Sequence, residues 1–259
     1  MSAPGLHDYR EFTRQNYRRL LQLARDRYVF RGYADDFAPQ ERPFVLWRHD
    51  IDMSVHAAHR LAVIEQEEGV RATYFLWMHS HFYNLFEREI SDRVRDIVRM
   101  GHDIGLHFDC EYHGVLDEKT FLSRLHIEAE CLSNHFDVPV NAFSFHNPDA
   151  WSLGHEQQHY AGMVNTYAAC FRRDIDYCSD SNGYWRHRRL EDVIVATPPR
   201  LQVLTHPEWW TDTPMSPHLR VERCIEGRAK AVRHLYETQL AAFGRKNVGG
   251  ASLDRKEEF

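Results

Sequence analysis

No run of apolar residues in this 259-residue chain approaches the length that crosses a bilayer. The N-terminus, Met1-Ser2-Ala3-Pro4-Gly5-Leu6-His7-Asp8, turns polar at once and lacks the apolar core of a secretory signal. Cysteine is scarce. Cys110, Cys131, Cys170, Cys178 and Cys224 are odd in number and show no CxxC spacing, so they read as reduced core thiols. Together with the missing signal they point to the cytoplasm. A basic surplus is also missing: 32 Lys and Arg face 38 Asp and Glu, which argues against a nucleic-acid binder. Internal repeats and low-complexity tracts are absent, and no convincing domain boundary divides the chain. One residue type stands out by abundance. Eighteen histidines invite a metal hypothesis without proving one.

Short apolar runs alternate with helical periodicity, the pattern of an α/β fold with parallel strands. The runs Phe44–Trp47, Ala72–Leu76, Asp103–Leu106, Ala142–Phe145, Tyr177–Ser179 and Leu201–Leu204 predict strands covered on both faces. Ser54 caps a helix that carries Ala57, Leu61 and Ile64 on one face and ends before Gly69. A second helix runs up to Met100. A third, over about 117–134, aligns Leu122, Leu125, Ala129 and Leu132. Ser216-Pro217 opens a long helix with Val221, Ile225, Ala229, Val232, Tyr236 and Leu240 on one stripe. The stretch 151–167 has no strong period and reads as an active-site loop with a short helix. Residues 1–40 form a helical extension around an amphipathic helix near 9–28, expected outside the barrel. Residues 41–244 form the main unit, and the charged tail 245–259 reads as disordered.

In parallel α/β sheets the functional side chains gather at the carboxyl ends of the strands. Those ends read Arg48-His49-Asp50-Ile51-Asp52, His107-Phe108-Asp109, His146-Asn147-Pro148, Asp180-Ser181 and Thr205-His206-Pro207. Asp50 and Asp52, two apart on a strand, leave on one side of the sheet. Two carboxylates in one site both ionise easily only beside a cation. Taken alone, Asp52 reads as well as a helix N-cap. His56 and His59, three apart on a helix, read as plain helix surface. The paired Trp209 and Trp210 suit either a core or an apolar wall for a sugar ring. Arg48 and Arg186 join them as candidate substrate contacts.

These residues resemble a family. Asp50-Ile51-Asp52, Gly101–His107, Asp180 and Leu204-Thr205-His206 are similar, in order, to the motifs of polysaccharide deacetylases. That family is carbohydrate esterase family four, the NodB-homology domain. The resemblance runs from about Val45 to Trp210 and implies a distorted (β/α) barrel of seven or eight strands in a single domain. It also implies roles: Asp50 as catalytic base, Asp52 and His107 as metal ligands, His206 as general acid and Asp180 as the carboxylate that tunes it. Three positions depart from the pattern. Ile51 separates aspartates that are usually adjacent, and Glu111 stands where a second ligand histidine is usual. Phe145-His146-Asn147-Pro148 replaces a motif with arginine. The third ligand is therefore open between His146, which leaves the adjacent strand at the same rim, and Glu111, with Asp109 and His113 also chemically able; His146 is preferred.

The resemblance implies a metal-dependent hydrolase that removes an N-acyl group, N-acetyl foremost, from a sugar. Zn²⁺ is the expected metal, and Co²⁺, Ni²⁺, Mn²⁺ or Fe²⁺ suit the same ligands. The expected partner is an N-acylated sugar, sugar nucleotide or lipid-linked saccharide, with no nucleic acid. The branch looks similar to deacetylase-like proteins of bacterial O-antigen synthesis. A deformylase or cyclic amidase on the same scaffold, and a non-catalytic sugar-binding relative, are the alternatives.

Overall fold

A computed structural model describes residues 7–35, 42–114 and 117–249. The N-terminal extension expected over 1–40 and the tail expected over 245–259 therefore lie partly outside the described residues. The strands are β1 (Val29–Arg31), β2 (Phe44–Ile51), β3 (Thr73–Leu76), β4 (Asp103–Phe108), β5 (Ala142–Phe145), β6 (His159–Tyr160), β7 (Met163–Asn165), β8 (Asp176–Ser179) and β9 (Arg200–Thr205). The helices are α1 (Arg14–Arg25), α2 (Val55–Glu67), α3 (Arg88–Arg99), α4 (Cys110–His113), α5 (Glu118–Phe136), α6 (Ala150–Leu153), α7 (Ala169–Asp174), α8 (Leu190–Ala196) and α9 (Pro217–Ala242).

Seven parallel strands follow one another round a single curled sheet in the order β2, β3, β4, β5, β7, then β8, β9 and back to β2. No pairing among the described strands joins β7 to β8, so the barrel is distorted and open there. β6 adds antiparallel at the β7 edge, and β1 runs beside the N-terminal half of β2.

All eight residues of β2 are buried, because each face of the strand meets a different apolar layer. Phe44 and Leu46 turn into the barrel and pack with Phe75, Ala142, Val164 and Phe171. Val45, Trp47 and Ile51 turn outward to the helices. The same alternation carries Arg48 and Asp50 to the inner face near the carboxyl rim. Gly105 on β4 makes room for this interior: a Cβ there would lie 2.5 Å from the Phe75 ring and 3.0 Å from the Ala142 carbonyl oxygen.

The helix signals act as read. The Ser54 hydroxyl accepts from the Ala57 amide, Asp117 caps α5, and Pro217 opens α9 behind Ser216. Two expectations change. The stretch 151–167 contains α6 but also the β6–β7 hairpin, whose two turn residues Ala161 and Gly162 both have positive φ, 48° and 80°. Alanine in place of the usual Asn or Asp hides that turn. Beyond Val221, the apolar stripe of α9 does not pack on the barrel: Ile225, Val232 and Tyr236 are each about half exposed. The reason lies in α1, which contacts both α2 and α8 and covers β2 where a following helix would sit, with Trp47 Nε1 donating to the Tyr17 hydroxyl at 2.9 Å.

Under α1 lies a buried polar cluster. Glu65 of α2 accepts from the Tyr17 hydroxyl, from Tyr74 at 2.6 Å, and meets His49 Nε2 at 2.7 Å, while His49 Nδ1 contacts Thr205 Oγ1 at 2.8 Å. Burial alone would raise the Glu65 carboxyl, but His49 and the hydroxyl donors outweigh it and hold it below the ordinary glutamate value. A depressed carboxyl stabilises the fold above its unfolded pKa and loses that contribution as pH falls. Glu65→Ala, which strands His49 and both phenols, is expected to cost about 3–5 kcal/mol at neutral pH. Urea unfolding measures it, and the gap from wild type should narrow as pH drops below about 4. A gap that widened on acidification would refute the assignment.

Candidate active site

The parallel register brings the strand ends to one rim, since His49 pairs with Thr205, Ile51 with Leu76, Leu106 with Phe143 and Ser179 with Leu204. Asp52 follows β2, His107 lies in β4, and His146 follows β5. Asn147 then adopts a left-handed conformation, φ 43°, which turns the chain off the strand. The three side chains converge. Asp52 Oδ1 lies 3.2 Å from His107 Nε2 and 3.5 Å from His146 Nδ1, and the two nitrogens are 3.2 Å apart.

This triangle fits a metal. Tetrahedral ligands at about 2.0–2.1 Å from a Zn²⁺ ion stand about 3.4 Å from one another. Asp52 Oδ1 is buried and has no hydrogen-bond partner, as expected of an oxygen meant for a cation. Burial would raise the Asp52 carboxyl, yet the facing imidazoles of His107 and His146 hold it far below the ordinary range. The second contacts of each histidine set its orientation. His107 Nδ1 meets Ser144 Oγ at 2.6 Å, and the Asn147 amide lies 3.0 Å from His146 Nε2. The His146 ring also stacks on Trp77 at 3.9 Å. Glu111 is exposed on α4 and is not among the converging ligand atoms.

Asp50 sits one step below, 2% exposed. Its Oδ2 accepts from Arg48 Nη2 at 3.1 Å, and Ser144 Oγ lies 3.4 Å from its Oδ1. Arg48 is fully buried between the Phe75 and Tyr167 rings, 5.5 and 5.1 Å from the ring centres. It holds Asp50 from behind rather than lining the cavity.

On the far side His206 pairs with the buried Asp180. His206 Nδ1 lies 2.7 Å from Asp180 Oδ1, the His206 amide donates to the same carboxylate at 3.0 Å, and Trp210 Nε1 donates to Oδ2 at 3.0 Å. Burial disfavours the imidazolium, but the Asp180 hydrogen bond and charge prevail and raise His206 to about 10. His206 Nε2 is 4.0 Å from Asp52 Oδ2. Trp210 therefore belongs to the support, packed against Phe12 and Tyr17, whereas Trp209 lines the cavity. Arg186 lines it from the exposed side. His56 and His59 face Glu89 and Asp96 of α3, at 3.7 and 3.6 Å.

Asp50, Asp52, His107, His146 and His206 border one cavity of about 820 Å³, walled by Trp77, Phe82, Tyr167, Tyr177 and Trp209. Two supporting residues, Ser144 and Trp77, lie outside the strand-end pattern of acids and histidines. Ser144 was visible as the polar residue two before His146 on the inner face of β5, and Trp77 as the residue that leaves β3.

No family model matches the chain, and the search of curated proteins finds no match. Solved structures do resemble it. A CE4 family pseudoenzyme from Bacillus anthracis is 15% identical with a TM-score of 0.40, over 72% of this chain and 62% of that one. The chain thus spans under two thirds of that protein. A chitin deacetylase from the fungal pathogen Colletotrichum lindemuthianum is 15% identical with a TM-score of 0.43, over 73% of this chain and 84% of that one. A Streptococcus pyogenes deacetylase in complex with acetate is 14% identical with a TM-score of 0.41, over 78% and 81%. Likenesses at this level carry nothing about activity.

Proposed function

We propose that the protein is a metal-dependent hydrolase that removes an N-acyl group, N-acetyl foremost, from a sugar. The observation that carries this reading is the meeting, in one cavity, of three groups. They are the Asp52, His107 and His146 set, the Asp50 carboxylate and the His206–Asp180 pair. The motif order that resembles polysaccharide deacetylases supports the same assignment.

Two imidazoles and a carboxylate suit Zn²⁺, and Co²⁺, Ni²⁺, Mn²⁺ or Fe²⁺ can take the same donors. When bound, such a cation supplies a Lewis acid that polarises an amide carbonyl and acidifies water. Asp50 takes the proton of the attacking water, held in place by Arg48. His206, kept protonated by Asp180, gives its proton to the departing amine nitrogen, which would otherwise be a poor leaving group. Trp209 brings an apolar face to the cavity, a surface on which a sugar ring can pack. Arg186 and His187 at the open side suit the phosphates of a sugar nucleotide or lipid-linked saccharide, the form expected in surface-polysaccharide (O-antigen) synthesis.

The test is release of acetate, against formate, from N-acylated sugars and sugar nucleotides by the metal-loaded protein. Acetate release that a chelator stops is the expected result. Formate alone would move the reading to a deformylase, and metal-independent saccharide binding without turnover would overturn it. His206→Ala is expected to slow release by about two to four orders of magnitude. Because the acid must be protonated, the wild-type rate should fall on the alkaline side, above the ordinary histidine range because Asp180 raises His206, and that limb should vanish in the variant. A limb unchanged by the substitution would remove His206 from the mechanism.

A further inference from the structure

A second carboxylate with two imidazoles stands outside the cavity. Glu128 lies on the buried face of α5, between Leu125 and Leu132, where helical periodicity calls for an apolar residue. Its Oε1 meets His79 Nε2 at 2.8 Å and His113 Nε2 at 2.5 Å. His79 follows β3, and His113 ends α4.

The ring arrangement is close to that of the catalytic set, with the nitrogens nearer to the carboxylate oxygen than there. The His79 and His113 rings are 5.5 Å apart and inclined at 89°, and the His107 and His146 rings are 5.1 Å apart at 86°. Each set has one carboxylate, and each carboxylate keeps one buried oxygen with no hydrogen-bond partner, Glu128 Oε2 here and Asp52 Oδ1 there. The Glu128 side chain is 7% exposed, so water does not easily satisfy that oxygen. A hydrogen-bonded staple explains Oε1, on which two nitrogens crowd. It leaves Oε2 unexplained. A cation shared by the two nitrogens and the carboxylate accounts for both oxygens.

We infer that His79, His113 and Glu128 form a second metal site that takes a borderline divalent transition metal, Zn²⁺ in the first instance. Two nitrogens and one oxygen favour such an ion over Ca²⁺ or Mg²⁺, which prefer all-oxygen shells. Cys131, one turn beyond Glu128 on α5, lines the same cleft of about 640 Å³ and adds a sulfur donor to its wall.

The position gives the ion a structural role. It ties the segment after β3 and the end of α4 to α5. That segment starts at Trp77, which stacks on His146 and donates through Nε1 to Asp109 Oδ2 at 3.0 Å. Asp109 in turn caps α4. Metal at Glu128 thus braces the wall against which His146 rests.

The test is metal stoichiometry on the full chain, stripped with chelator, reloaded with Zn²⁺ and desalted. The wild-type protein should hold two zinc ions per chain. His146→Ala should hold one, and His113→Ala and Glu128→Ala one each. In His146→Ala, chelator should still lower the melting temperature, because the remaining ion is the bracing one. This measurement stands even if the Glu128 variant fails to fold. One zinc per chain, lost in His146→Ala and kept in His113→Ala, would overturn the second site. One zinc lost in His113→Ala and kept in His146→Ala would retain this site and sink the proposed catalytic centre instead.

Discussion

Asp50→Asn is expected to lower acetate release by about two to four orders of magnitude, the scale of a positioned general base, while zinc content per chain stays at the wild-type value. The shape of the residue is kept and its oxygens are not part of the Asp52, His107 and His146 triangle, so the metal has no reason to leave. The substitution also has a structural cost. Arg48 is fully buried, with Nε and Nη1 lacking partners, and the Asp50 charge is what offsets its burial. Neutralising Asp50 leaves that guanidinium uncompensated, so a loss of about 3–5 kcal/mol of stability should accompany the loss of turnover. Rates must therefore be taken well below the lowered melting temperature. Zinc lost together with activity would make Asp50 a ligand. Near-normal turnover would remove the base.

The strands that position this site were legible because they are short, apolar and bounded by turn residues. β5 lies over the residues expected, Ala142–Phe145, and β2 starts at Phe44 as read. β2 continues four residues further than the apolar run, through Arg48-His49-Asp50-Ile51, because its polar residues find buried partners on both faces. Hydrophobicity cannot announce such an extension. β1 and the β6–β7 hairpin are two or three residues long, too short for any period to register. The outward face of α9 was hidden for a different reason: its stripe looks like a core face, and only the placement of α1 over β2 shows why it has none to meet.

At the site, the side chains that project from strand ends were readable in order, and those that support them from other strands were not. Ser144, Trp77 and Tyr167 act through contacts with residues 37, 69 and 119 positions away, His107, His146 and Arg48. Pairings of that kind depend on strand order. Arg48 shows the limit most clearly: a strand-end arginine reads as a substrate contact until the alternation of β2 turns it into the barrel beneath Asp50.

The missing second histidine of the family pattern leads to the largest expected effect on metal binding. His146→Ala should weaken binding at the Asp52 site by more than about a hundredfold, since outer partners of a ligand alone cost about 10- to 100-fold. One zinc per chain is then lost on desalting, and turnover with it. Glu111→Ala should keep both metal and rate. The contrast follows from position. His146 is presented by β5, hydrogen-bonded neighbour of the strand that carries His107, and adjacent strands lie about 5 Å apart. Its ring is held by Trp77 and by the Asn147 amide, so Nδ1 faces Asp52 without any further ordering. Glu111 lies in the first turn of α4, beyond Asp109, and is exposed. To reach the same ion it would have to leave that helix, whose cap Asp109 is itself tied to Trp77. Zinc retained in His146→Ala and lost in Glu111→Ala would show that this rearrangement occurs, and would assign the third ligand to Glu111.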